Sequence, residues 1–220
     1  GSSMAVTREG DILLRAGYEV LHYSQEGERV SACVIPKEMK LAGGYAQGIR
    51  VDDSGTVSLN VIQTSFPVAT IHNQKMESLD AKAMMANASP GFPDRTKGGL
   101  LRMEWKNDHL AAIQQLDAGG VLLRELPMTT SDAFGAVLFL GQDGGGALFV
   151  ETERISADNF VHLEFREMTL SGGLLACVEA PNTYCTTVTK KLELGEDGTV
   201  FQMITSEDGI QVIAWRKNEP

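Results

Sequence analysis

Four histidines, His22, His72, His109 and His162, are the side chains best suited to acid–base or metal chemistry near neutral pH. They occur singly, tens of residues apart, each in or beside an apolar–polar alternating stretch. That spacing reads as separate core or solvent-facing histidines and not as one shared site. No H-E-x-x-H, C-x-x-C, G-x-S-x-G or phosphate-loop pattern occurs. Gly141-Gln-Asp-Gly-Gly-Gly146 lacks a following helix to present its amides, so it reads as a loose hairpin turn. No catalytic residue and no metal ligand is therefore assigned.

The acids offer a second chemistry. Asp52, Asp53, Asp143, Glu196 and Asp197 all fall in glycine-containing turns, where carboxylates can cap their own backbone. Gathered at one face they could instead attract a cation, which leaves calcium as the only cofactor the sequence admits. Three cysteines are an odd number. Cys33 sits in an apolar strand pattern and reads as a small buried hydrophobe, while Cys177 and Cys185 flank a turn that a local disulfide could span.

What must position these residues is β-structure. Alternating stretches of 5–8 residues, bounded by Gly, Asp, Asn or Pro, recur along nearly the whole chain. Three hairpins end in proline: Glu19–Pro36, His109–Pro127 and Val161–Pro181. A second kind follows each, over Ile49–Val61, Val137–Val150 and Leu192–Met203. Prolines 36, 127 and 181 lie 91 and 54 residues apart, and turn glycines 55, 145 and 198 lie 90 and 53 apart, so two independent markers keep step. The chain divides into about five units, near 4–36, 46–75, 98–127, 135–181 and 187–217. A period of about 44 residues, with four short strands each, is the signature of propeller blades.

The turns Asp52-Asp-Ser-Gly-Thr-Val57, Glu196-Asp-Gly-Thr-Val200 and Asp117-Ala-Gly-Gly-Val121 resemble those of β-propeller repeat proteins, loosely the NHL and quinoprotein-like kind. The resemblance implies an all-β fold, a propeller of about five four-stranded blades, either closed or an open arc completed by a partner. A β-sandwich is the alternative. The last unit offers three strands, and Ala5-Val-Thr7 could supply its missing outer strand. Trp105, Trp215 and Tyr23 read as blade-packing aromatics.

Residues 75–97 interrupt the pattern. Lys75–Asn87 is rich in helix formers, with Ser78 as a candidate cap, and Ser89–Lys97 is turn-rich. Within this insertion Met84, Met85, Phe92, Asp94 and Arg95 are the candidate binding residues, because long excursions from a repeat often carry function. Gly1-Ser2-Ser3 reads as a tag scar, leaving 4–217 as a single propeller domain.

A net charge of −10 implies no cationic surface and disfavours nucleic acid or an anionic membrane as partner. There is no apolar run long enough to span a bilayer and no charged-then-apolar leader pattern at the start. The compartment stays open. Three functions fit: a non-enzymatic binding or scaffolding module for a protein partner, a hydrolase or lyase acting on a glycan or small molecule with turn carboxylates as acid and base, or a self-assembling half-propeller.

Overall fold

The structure, a computed structural model, describes residues 2–36, 46–52, 54–61, 64–181, 192–195, 197–206 and 209–216. Two compact units share the chain, Gly1–Pro90 and Gly91–Pro220.

The first unit holds two antiparallel sheets. One is β1 (Ser2–Val6), β2 (Ile12–Ala16), β3 (Glu19–Tyr23) and β4 (Arg29–Val34), and the other is β5 (Ala46–Val51), β6 (Thr56–Val61), β7 (Thr64–His72) and β8 (Lys75–Ser78). Alternation sends Leu13, Val20 and Cys33 of the first sheet to one face, where they meet Ile49, Val57, Leu59 and Met76 of the second in one core. Helix α1 (Ala81–Ala86) adds Met84 to that core. Its cap is Asp80, whose carboxylate accepts from the Ala83 amide at 2.7 Å. The strand pattern therefore continues through Ser78, which is a strand residue and not the helix cap.

The second unit holds three sheets. They are β9 (Phe92–Pro93), β10 (Leu100–Asn107), β11 (Leu110–Leu116) and β12 (Leu122–Thr129); β13 (Ala133–Gln142), β14 (Leu148–Ile155), β15 (Val161–Met168) and β16 (Leu174–Ala180); and β17 (Leu192–Leu194), β18 (Val200–Ser206) and β19 (Gly209–Trp215). Leu101, Ile113 and Leu126 of the first of these pack on Phe139, Leu148 and Val150 of the next. Phe149, Leu163 and Phe165, on the opposite face of that middle sheet, pack on Leu192 and Val200 of the last. The helix-rich reading of 75–97 thus gives way to a strand at each end, with α1 between them.

Every sheet is a meander of strands consecutive in sequence, which is blade topology, whereas a sandwich needs connections that cross between sheets. The chain is a five-bladed β-propeller. No helix among the described residues is long and apolar enough to cross a membrane.

One turn recurs between the first and second strands of the blades. The amides of Thr7, Asp52, Asp143 and Gly195 donate to the carbonyl four residues on, at 2.8–3.1 Å, and a glycine three residues on, Gly10, Gly55, Gly146 or Gly198, donates back at 2.9–3.1 Å. These glycines have φ of +81° to +91°, a conformation that side chains resist. The third blade uses Asp94 and Gly98 with one extra residue. The fourth-blade marker is therefore Gly146, not Gly145.

Two further expectations change. Strand β1 pairs with β2, Val6 opposite Ile12 and Ser2 opposite Ala16, so Ala5 and Val6 belong to the first blade's own strand and not to an outer strand of the last blade. Pro127 does not end its strand but sits opposite Ala112 inside β12, which is tolerated in an edge strand.

Candidate functional site

The turn carboxylates come first because the sequence singled them out. Asp143 Oδ1 accepts from the amides of Gly145 (3.0 Å) and Ala147 (2.8 Å). Asp52 Oδ1 accepts from the amides of Ser54 and Thr56, each at 2.9 Å, and from the Ser54 hydroxyl at 2.6 Å. Asp197 takes the Thr199 amide on one oxygen and its hydroxyl on the other, and these bonds hold the carboxyl below its ordinary value. Burial would raise Asp94, yet the amides of Thr96 and Lys97, the Thr96 hydroxyl and the Gln142 amide outweigh it and hold that carboxyl low. These acids organise their own turns. Asp53 and Glu196 lie outside the described residues.

Turns of the second unit also touch one another. The Gln142 side chain accepts from the Arg95 amide at 2.8 Å and donates to Asp94 at 3.3 Å, tying the third-blade turn to the fourth. A Cβ added at Gly146 would stand 2.7 Å from Thr96 Cγ2, and one at Gly198 would stand 3.0 Å from Asp143 Oδ2. No group of three or more His, Cys, Asp or Glu side chains placed to hold a metal occurs among the described residues.

The histidines separate as their spacing suggests. His72 and His109 are exposed, and His162 donates to Glu179 at 2.8 Å. His22 is fully buried, its Nε2 donating to Asp11 Oδ2 at 2.9 Å and its Nδ1 3.1 Å from Ser31 Oγ. The residue types match a nucleophile–base–acid chain, but the geometry serves structure. Ser31 Oγ also accepts from the Met76 amide and lies within donating reach of the Gln74 carbonyl, each at 3.2 Å. Gln74 and Asn73 both have positive φ, the two-residue turn of the β7–β8 hairpin. The chain Asp11–His22–Ser31 thus braces the first blade against the hairpin of the second.

A charged cluster on the fourth blade escaped sequence reading, because Arg154 reaches it from the neighbouring strand and Asp132 from the start of the blade. Glu164 meets Arg154 at 2.8 Å and Arg166 at 3.3 Å, and Arg154 also contacts Asp132. Burial would raise the Glu164 carboxyl, but the two guanidiniums hold it below its ordinary value. Cys177, an exposed free thiol 3.8 Å from Glu164, is pushed up by desolvation and by that negative charge. Cys33 is also free and is buried, and Cys185 lies outside the described residues.

Of the candidate binding residues, Met84 is fully enclosed in the first unit's core and Phe92 packs on Phe139 with ring centroids 5.3 Å apart. Asp94 caps its turn as described. Met85 and Arg95 are exposed, Met85 at 60%.

The feature that sequence reading missed is apolar and exposed. Val121 precedes β12 and Leu122 and Leu123 open it, while Leu174 and Leu175 open β16, each 48–67% exposed. Both strands carry a bulge at that point: Leu122 faces Leu116 while Arg124 faces Gln115, and Leu174 faces Met168 while Ala176 faces Glu167. The extra residue breaks strict alternation, so two consecutive leucines reach solvent in each blade. The β15–β16 turn lies against β12, with the Arg124 guanidinium donating to the Ser171 carbonyl and Gly172 close to Leu126. The repeated Gly-Gly before each pair was the available signal.

No family model and no curated protein matches this chain. Among solved structures it is similar to a protein of unknown function from Bacteroides caccae, with a TM-score of 0.50 and 16% identity over 96% of this chain and 77% of that one. It is also aligned with an endo-arabinase from Bacteroides thetaiotaomicron (TM-score 0.46, 13% identity, 100% and 94% covered) and a gluconolactonase from Xanthomonas campestris (0.42, 11%, 96% and 71%). At such identities the likeness concerns the fold alone.

Proposed function

We propose that this chain is a non-enzymatic binding module that engages a protein partner. The observation that carries the reading is the exposure of five large apolar side chains, Val121, Leu122, Leu123, Leu174 and Leu175, at the start of the outer strands of two adjacent blades. Large apolar side chains left exposed together at the start of a strand favour association with another protein. Among the described residues, Asp52, Asp143 and Asp197 cap their own turns, His22 belongs to a buried brace and His162 pairs with Glu179. Met85 and Arg95 are the members of the 75–97 stretch whose exposed side chains fit a contact role.

The test is capture of a cross-linked partner by the wild-type chain and by a Leu123→Lys, Leu175→Lys double variant. Exposed positions should leave the melting temperature nearly unchanged while the captured species falls at least tenfold. Undiminished capture by the variant overturns the patch. Turnover of a glycan or lactone panel by the purified chain overturns the non-enzymatic reading.

A further inference from the structure

Four of the five blades end on a fourth strand, β4, β8, β12 or β16, whereas the last ends on its third, β19. Among the described residues β19 pairs with β18 alone, so its far side is a sheet edge. Alternate residues of an edge strand turn their N–H and C=O groups away from the sheet, which makes the edge a template for another strand. Strands β17, β18 and β19 all belong to the second unit.

The four complete blades blunt this edge and the fifth does not. Short length, charge, proline and bulges are what keep sheet edges from pairing. Strand β8 is four residues long and carries Lys75 and Glu77. Strand β12 carries Arg124, Glu125, Pro127 and a bulge, and β16 carries Glu179 and a bulge. Strand β4 opens on Arg29, where its pairing with β3 shifts register. By contrast β19, Gly209-Ile-Gln-Val-Ile-Ala-Trp215, runs for seven residues without a charge, a proline or a register shift.

The charges that β19 lacks stand at its two ends. In the sequence Glu207-Asp208 precedes it and Arg216-Lys217 follows it. Two copies of the strand laid antiparallel about Val212 set position 208 of each opposite 216 of the other, and 207 opposite 217, because the members of each pair are equidistant from Val212. Acid then meets base at every one of these places, whereas a parallel arrangement sets acid beside acid and base beside base. Opposite charges across strands favour pairing and like charges oppose it. We propose that β19 is the edge through which two copies of this chain pair, antiparallel and centred on Val212, joining two three-stranded blades into one six-stranded sheet.

The charge order is what selects a second copy over an unrelated strand: the chain itself supplies the reversed sequence of acid and base that its own edge requires. The contact is isologous, each protomer giving the same strand, so it closes at a dimer. Seven residues of strand span about 24 Å. One strand pair is smaller than a standard interface, so the dimer is a weak one, with a dissociation constant on the order of tens of micromolar. This edge is separate from the leucines of β12 and β16, and its success or failure does not bear on that reading.

Sedimentation and light scattering at about 10–200 μM test the proposal, at low ionic strength where exposed ion pairs are least screened. The wild-type mass should rise toward twice that of the protomer. Val212→Lys sets two like charges against each other at the centre and should hold the chain as a monomer; the position is 63% exposed, so the melting curve should stay where it is. Arg216→Glu and Asp208→Lys each turn two attractive pairs repulsive, and each alone should raise the dissociation constant about tenfold. Mixed in equal amounts, the two variants meet acid to base at both places and should regain the wild-type affinity. A monomeric wild-type chain overturns the proposal and leaves the edge to a different protein. A dimer that Val212→Lys leaves intact, or a mixture as weak as its two components, overturns the antiparallel pairing. Loss of the dimer in the Leu123→Lys, Leu175→Lys variant places the self-contact on the leucines and overturns it as well.

Discussion

Replacing His22 with leucine keeps most of the side-chain volume in the first blade while removing both ring nitrogens from the Asp11–His22–Ser31 brace. The cost can be worked from the partners left behind. Asp11, 9% exposed, loses the donor on Oδ2. A hydrogen bond to a charged group contributes about 1.5–3 kcal/mol. Ser31 loses a partner at 3.1 Å but keeps the Gln74 carbonyl and Met76 amide, so its loss is the smaller, about 0.5–1 kcal/mol. Together the substitution should destabilise by about 2–4 kcal/mol, against roughly 5–13 kcal/mol for a folded unit of this size. Native-state hydrogen exchange reads this out, because β3, β4 and the β7–β8 hairpin should exchange roughly thirty to a thousand times faster. Ser31→Ala should give a smaller loss, and the double variant should fall short of the sum because the two act through one network. A loss under about 1 kcal/mol for His22→Leu would mean that the brace contributes little, and the argument from burial would be wrong.

Two other outcomes follow from local geometry. Gly55→Ala should destabilise by about 2–4 kcal/mol, since φ is +81° and the new Cβ would stand 2.6 Å from the Ile71 carbonyl oxygen; Gly27→Ala, at φ +83° in open space, should lose only about 1–2 kcal/mol, and equal urea midpoint shifts would remove the clash from the account. Glu164 is depressed below its ordinary value of 4.5, so the unfolded chain takes up the proton first on acidification. Its stabilisation is full above that value and is lost as pH falls through the lower folded value. Glu164→Gln should therefore be less stable near neutral pH and show a shallower decline between about pH 5 and pH 3, checked by urea unfolding across that range. Parallel curves would show that the Arg154 and Arg166 pairings do not set its titration.

The repeat was legible because it is written in local terms. Strand alternation and the left-handed glycines at 55 and 198 act within a few residues, so unit boundaries near 46, 135 and 181 fall within two residues of observed strand ends. The four residues Lys75–Ser78 were read as helix because Ala81–Ala86 follows at once and a strand that short shows too little alternation. Phe92–Pro93, two residues long, carries no pattern at all and is a strand only because Leu100 and Leu101 lie opposite. Gly145 and Gly146 cannot be told apart in a run of three glycines until the hydrogen bond to the Asp143 carbonyl selects one.

What the amino-acid order alone determined is the list of units, their turns and the self-capping of the turn acids, since each rests on interactions between near neighbours in the chain. Only the tertiary structure decided which surfaces matter. The Asp11–His22–Ser31 brace draws on two blades, and two consecutive leucines reach solvent in β12 and again in β16 only because each strand carries a bulge there. Residue type specifies that a side chain is apolar and which way its strand turns it; whether another sheet covers it is settled by packing between segments distant in sequence.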